Sequence, residues 1–219
     1  MGLNAKKVKS VASGPQQAPI EEGGYPARIV QIIDLGVQDQ RAHKGKVKPP
    51  CQQITIVYEL LDEFCLDEDG EEMLDKPRWV KETIPFHPLS SDLATSTKRY
   101  RVLDPEEKFD GDFTLCVDVP INLVIVNNTK GDKTYNNVGG ISPLRPKEAK
   151  KAGPLVNPIT IFLMDEPDIE VFNKLPDWQQ GDIKKAHDYP GSKLQALVEG
   201  KAQPEQGDDE QDDSDGPKW

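Results

Sequence analysis

Five runs rich in β-branched residues, each closed by turn residues, constrain this chain more than any other feature. Residues 25–37 read as a long first strand, with Gly36 near its end where a bulge or sharp bend would be needed. Residues 52–61, 78–86, 120–127 and 133–141 read as the next four. A basic loop, 38–50, follows the first strand. An acidic connector, 62–77, follows the second and carries a turn at Asp69-Gly70. The connector after the third strand is the longest. Residues 88–103 predict a short helix in it, and 105–118 are acidic and partly helical. Residues 128–132, with Gly131, form the tight turn before the fifth strand. This order predicts a mainly β fold, a five-stranded Greek-key barrel of the OB-fold type with short helices. A β-sandwich or another small barrel would produce similar runs.

The rest of the chain divides by composition. Residues 1–22 are a polar, slightly basic arm, expected to be flexible. The barrel is expected over 23–145 and a C-terminal extension packing on it over 146–200. Within the extension, 159–164 is an apolar edge strand or docking stretch. Residues 167–174 and 177–186 each begin with or just after a proline and place Asp168 and Asp177 to favour first turns. Val171, Phe172, Leu175, Trp178 and Ile183 are predicted to form one apolar face, too small to fold alone.

Residues 201–219 cannot build a core, because no apolar residue lies between Ala202 and Trp219. The segment should be a disordered acidic tail. Two lysines and seven acids give it a charge of −5, while the 25 basic and 31 acidic residues of 1–200 give −6, of the chain's −11. Asp208, Asp209, Glu210, Asp212, Asp213, Asp215 and the closing Trp219 suit it to contact a basic surface with an apolar notch. A merely solubilising tail has the same composition. The acidic body counts against nucleic-acid binding driven by overall charge, but leaves room for a local basic groove.

Several classes have no positive signal. Cys51, Cys65 and Cys116 have no CxxC spacing, so neither a zinc knuckle nor a redox dithiol is indicated, and reduced thiols in a cytoplasmic setting are expected. The first residues carry no apolar run of signal-peptide length, Lys6 breaks the myristoylation pattern, and no stretch approaches a membrane span. His43, His87 and His187 are isolated, and no GxSxG, Walker A or GxGxxG occurs. The acids at 67–72 imitate a calcium loop, but with Gly70 as its sixth residue the first and twelfth positions are Cys65 and Lys76, which cannot ligate. No enzyme, cofactor or metal site is expected.

Cations and rings carry more information. Holding single-stranded DNA takes cations along the phosphates and flat faces for unpaired bases. The candidate cations are Arg28 on the first strand, Lys44, Lys46 and Lys48 in the basic loop, Lys81 on the third strand, and Lys130 and Lys133 at the fourth-to-fifth turn. The candidate stackers are Tyr58, Trp79 and Tyr135. Strand alternation puts Trp79 with Lys81, and Lys133 with Tyr135, on shared faces. Taken singly, barrel aromatics are more often core and loop lysines merely solvated. The weight lies in their grouping at the two loops that flank an OB-fold's binding face.

These residues carry a resemblance. GGYPARIVQIIDLGVQ, KGKVKPP and ITIVYEL resemble the opening of phage-encoded single-stranded DNA-binding proteins with an OB-fold. KTYNNVGGISPL resembles their fifth strand, and FLMDEPDIEVFNKLPDWQQGDIKKAHDYPGS their C-terminal part. The resemblance spans residues 25–192, and the acidic ending with Trp219 extends it. It implies a sequence-independent binder of single-stranded DNA in phage replication, recombination or repair, working in the bacterial host's cytoplasm. The tail would recruit replication proteins such as a polymerase or helicase. Pro217-Lys218 departs from the usual ending by separating the acids from the last ring. The expected mechanism is competition: the tail occupies the groove until DNA displaces it and frees it for partners. A free barrel edge would also allow a homodimer. The alternative is an acidic protein-interaction or DNA-mimic accessory module that binds no DNA.

Overall fold

The computed structural model describes residues 17–42 and 45–200. The fold is mainly β, with one six-stranded sheet and short helices. Strands β1 (Gly23–Gln38), β2 (Cys51–Leu66), β3 (Glu72–Pro85), β4 (Ile121–Lys130) and β5 (Lys133–Pro143) lie in the order β3-β2-β1-β4-β5, all neighbours antiparallel. The outermost strands, β3 and β5, contact each other. The five expected strands are present, but β2 and β3 run further into the acidic connector than the sequence suggested. The turn there is held by Asp67, whose side chain accepts from the Asp69 and Glu71 amides, with Gly70 at φ +86°. Among the described residues no helix is long and apolar enough to cross a membrane.

Two bulges decide which residues face where. β1 loses register with β2 between Ile29 and Gln31. The extra residue shifts the alternation, so Ala27, Ile29 and Ile32 share one face, while Gln31, Ile33 and Leu35 take the other. The second bulge falls between Asp34 and Val37, where Gly36 takes φ +71°. A Cβ there would lie 2.5 Å from an Asp188 oxygen, so only glycine fits. The bend expected at Gly36 is therefore present.

The inner face forms the main core. Ile29, Ile32, Ile56, Tyr58, Leu60, Leu123 and Ile125 meet there with Tyr100 and Leu103 of α1 (Thr95–Leu103) and Phe113 of a 3-10 turn (Phe113–Cys116). Helix α1 also brings in a charge. Arg99 forks onto Glu82 through Nε (2.9 Å) and Nη2 (3.1 Å), and the Tyr58 hydroxyl donates to the same carboxylate at 2.7 Å. All three are largely buried, and burial first, then the Glu82 charge, pushes the Tyr58 phenol well up. Tyr58 is thus a core residue with 0% exposure, which corrects its reading as a base stacker.

The extension builds a second core on the opposite face of β1. After the one-turn helix α2 (Pro146–Ala149) the chain crosses the sheet. Strand β6 (Thr160–Phe162) then pairs in parallel with Gln31–Ile33, covering backbone groups that β4 leaves open beyond Ala27. Helices α3 (Ile169–Lys174), α4 (Asp177–Ile183) and α5 (Lys193–Val198) close over it. Phe162, Met164, Phe172, Leu175, Ile183 and Leu194 pack on Ile33 and Leu35. Each such side chain contributes roughly 1.5–3 kcal/mol of burial. Asp168 caps α3 by accepting from the Glu170 and Val171 amides. Trp178 does not join this core: it is 49% exposed, a correction to the predicted apolar face.

Replacing Arg99 with Ala should cost about 3–5 kcal/mol in chemical denaturation, because Glu82 is left buried without its cation. A loss under 1 kcal/mol would show that the pair is dispensable. A second expectation concerns Asp34, which is buried and accepts from the Gly36 amide, Gln52 and the Met164 amide. Burial raises its pKa above the ordinary 3.8, outweighing those hydrogen bonds. A raised folded-state value means that protonation favours folding. That contribution is complete below pH 3.8 and is lost as pH rises through the folded value. The stability advantage of the wild type over Asp34→Asn should therefore shrink with rising pH across that window. A constant or growing difference in denaturation midpoints would contradict it.

Candidate functional site

A groove lies where the extension crosses the outer face of the sheet. Its volume is about 840 Å³. Gln31 of β1, Thr55 and Val57 of β2, and Trp79 and Lys81 of β3 form one side. The other side comes from residues 158–161, the end of α3 with Lys174, and Trp178 and Gln179 of α4. Strand alternation puts Trp79 and Lys81 together, as expected, and both are exposed. Trp178 faces them from the extension, with the Lys81 ammonium 4.0 Å from its ring centroid. A cation over an indole at this range is attractive by about 0.5–1 kcal/mol at an exposed site.

Two polar side chains, Glu59 and Arg28, hold the crossing segment in place. Glu59 has no exposed surface, yet it points to the outer face of β2. It accepts from the Trp79 indole Nε1 (3.1 Å), the Val156 amide (2.6 Å), the Asn157 amide (3.3 Å) and Asn157 Nδ2 (2.7 Å). One carboxylate therefore orients the tryptophan on one side of the groove and ties down the strap leading to the other. Arg28 anchors the same strap a few residues earlier. Its Nε donates to the Gly153 carbonyl at 2.9 Å and its Nη2 to that of Ala152 at 3.4 Å, while Nη1 pairs with the Asp118 carboxylate at 3.1 Å and also meets the Asp118 carbonyl.

Arg28 is therefore consumed by structure, a correction to its reading as a phosphate contact. Of the other residues chosen from sequence, Trp79 and Lys81 are the two that line this groove. Lys46 and Lys48 are exposed in the β1–β2 loop, and Lys130, Lys133 and Tyr135 are exposed on the β4–β5 hairpin. These five are not among the groove's lining residues. Lys44 and the tail residues Asp208, Asp209, Glu210, Asp212, Asp213, Asp215 and Trp219 lie outside the described residues.

Sequence reasoning missed Lys174, Trp178 and Gln179 as groove residues. The helical spacing from Phe172 and Leu175 predicts a core position for Trp178 instead. Gln179 is 4% exposed, and its Nε2 has no hydrogen-bond partner among the described residues. An unpaired buried amide costs about 1–3 kcal/mol. Among the described residues no group of three His, Cys, Asp or Glu gathers as a metal site. Burial pushes the Cys116 thiol up to about 12, which leaves it a packing residue rather than a nucleophile.

No protein-family model matches the chain, and no curated protein matches it.

Replacing Glu59 with Ala should speed amide exchange at Val156 and Asn157 while leaving the β1–β4 amides protected, and should lower stability by about 3 kcal/mol. Unchanged exchange at Val156 would remove Glu59 from its role as the strap's anchor.

Proposed function

We propose that the chain binds single-stranded DNA in the groove between the sheet and the extension. The observation that carries this reading is the facing pair of half-exposed indoles, Trp79 and Trp178, with Lys81 and Lys174 lining the same cleft. Rings for unpaired bases beside cations for phosphates are what a strand without a complement requires. Lys81 can leave the Trp178 ring for a phosphate, which frees that face for a base. The exposed lysines of the β1–β2 loop and the β4–β5 hairpin would extend the phosphate path beyond the groove.

The fold reading goes with it. The order β3-β2-β1-β4-β5, contact between β3 and β5, and α1 packed against both support an OB-fold barrel. The resemblance to phage single-stranded DNA-binding proteins supports a role in phage replication, recombination or repair. In that role the acidic tail would compete with DNA and recruit replication proteins. The net charge of −11 favours one second reading, an acidic protein-interaction module that binds no DNA.

Titrating oligo-dT at low salt against intrinsic fluorescence separates the two. Trp79 and Trp178 are two of the three tryptophans, so quenching should be large, and Trp219→Phe removes the third as background. Trp178→Ala should weaken binding by about 1–3 kcal/mol. Lys81→Ala should flatten the slope of log K against log salt by about 0.7. Deleting 201–219 should tighten binding, most at low salt. No quenching by the intact or truncated protein would reject DNA binding in favour of the protein-partner reading.

A further inference from the structure

We infer that the basic turn at residues 145–151 is a further phosphate-binding surface, which takes up the DNA strand where it leaves the groove past Trp79. This deepens the DNA-binding reading and rests on it. Arg145, Lys147, Lys150 and Lys151 fall within seven residues around α2, and all four are exposed. The one acid among them, Glu148, meets Arg145 only at 4.0 Å. Lys147, Lys150 and Lys151 make no ion pair among the described residues. In a chain of net charge −11, three unpaired cations so close together form a local positive field that invites a polyanion.

The sheet register fixes where this turn lies. Arg28, Glu59 and Trp79 stand opposite one another across β1, β2 and β3. Neighbouring strands are about 4.8 Å apart, so the row spans about 10 Å. The crossing segment follows that row. Ala152 and Gly153 are held at Arg28, and Val156 and Asn157 at Glu59. Lys151 immediately precedes the first clamp, so the basic turn is pinned beside the Trp79 end of the groove. The Asp118 carboxylate at this clamp pairs with Arg28 at 3.1 Å, which offsets its charge. A strand leaving the groove here has two ways to go. Straight on along β2 and β3 lies their acidic hairpin, with seven acids and no base in residues 62–72. Across the crossing segment lies the basic turn. Phosphates are repelled by the first and drawn to the second.

The test follows indole quenching of the full chain by oligo-dT across a salt series. It uses strands of about 4 and about 16 nucleotides, the two ends of the range for one OB-fold. Quenching reports the groove, so the short strand samples the groove and the long one the groove with its exit. Lys147→Ala, Lys150→Ala and Lys151→Ala combined should flatten the long-strand slope of log K against log salt by about 2, at about 0.7 per phosphate. The short-strand slope should change by less than about 0.7. Glu148→Lys adds charge instead of removing it. It should steepen the long-strand slope by about 0.7 and tighten binding at low salt. In the wild type, acetylation of Lys147, Lys150 and Lys151 should slow with the long strand bound and not with the short one. Equal long-strand slopes for wild type, the triple variant and Glu148→Lys, or acetylation that the long strand leaves unchanged, would overturn the inference while leaving DNA binding in the groove intact. Tighter binding by the triple variant would overturn it too, because a turn that holds the acidic tail gives that result. Failure of both strands to quench the wild type would reject the underlying reading and this inference with it.

Discussion

β1 has to hide apolar side chains on both of its faces, and the rest of the architecture answers that constraint. Ile29 and Ile32 face the main core, and Ile33 and Leu35 face away from it. A sheet covered on one side would leave the second pair in water. The extension supplies the missing cover, and it does so with backbone as well as side chains, because β6 pairs with β1 where β4 has departed. A groove arises as a consequence. Residues of the extension meet the outer face of β2 and β3 along a cleft rather than a seal.

Charged residues placed on apolar surfaces then decide how the strap is held. The Arg28 guanidinium and the Glu59 carboxyl group each bind backbone of the crossing segment, at residues 152–153 and 156–157. Asp34 does the same further on by accepting from the Met164 amide. A loop without regular structure must find partners for its amides and carbonyls once it is buried. Glu59 also holds the Trp79 indole, so fastening the strap and orienting the groove's ring are one event. This coupling explains how a residue with no exposed surface bears on the site.

How much was legible in the sequence varied with the range of the interaction. The five strands, α1, the Gly36 bend and the pairing of Trp79 with Lys81 rest on alternation, propensity and turn chemistry, which act over a few residues. Arg28 and Tyr58 were misjudged for the opposite reason. Nothing local distinguishes an arginine aimed at phosphate from one aimed at the Gly153 carbonyl 125 residues away. Nor does a strand tyrosine announce that Glu82 and Arg99 will meet it in the core. Trp178 looks apolar by helical spacing, and only the docking of α4 on β1 brings its ring to Lys81.

The amino-acid pattern alone determined that this chain would be a β protein with five main strands, a polar start and an end unable to form a core, because hydrophobic periodicity and composition are local quantities. Tertiary structure decided which face each charge would serve, that the extension would complete β1, and that Trp79, Trp178, Lys81 and Gln179 would share one cleft. Those outcomes depend on bulge positions and on contacts between segments about a hundred residues apart, where a one-residue shift in register moves a side chain from groove to core.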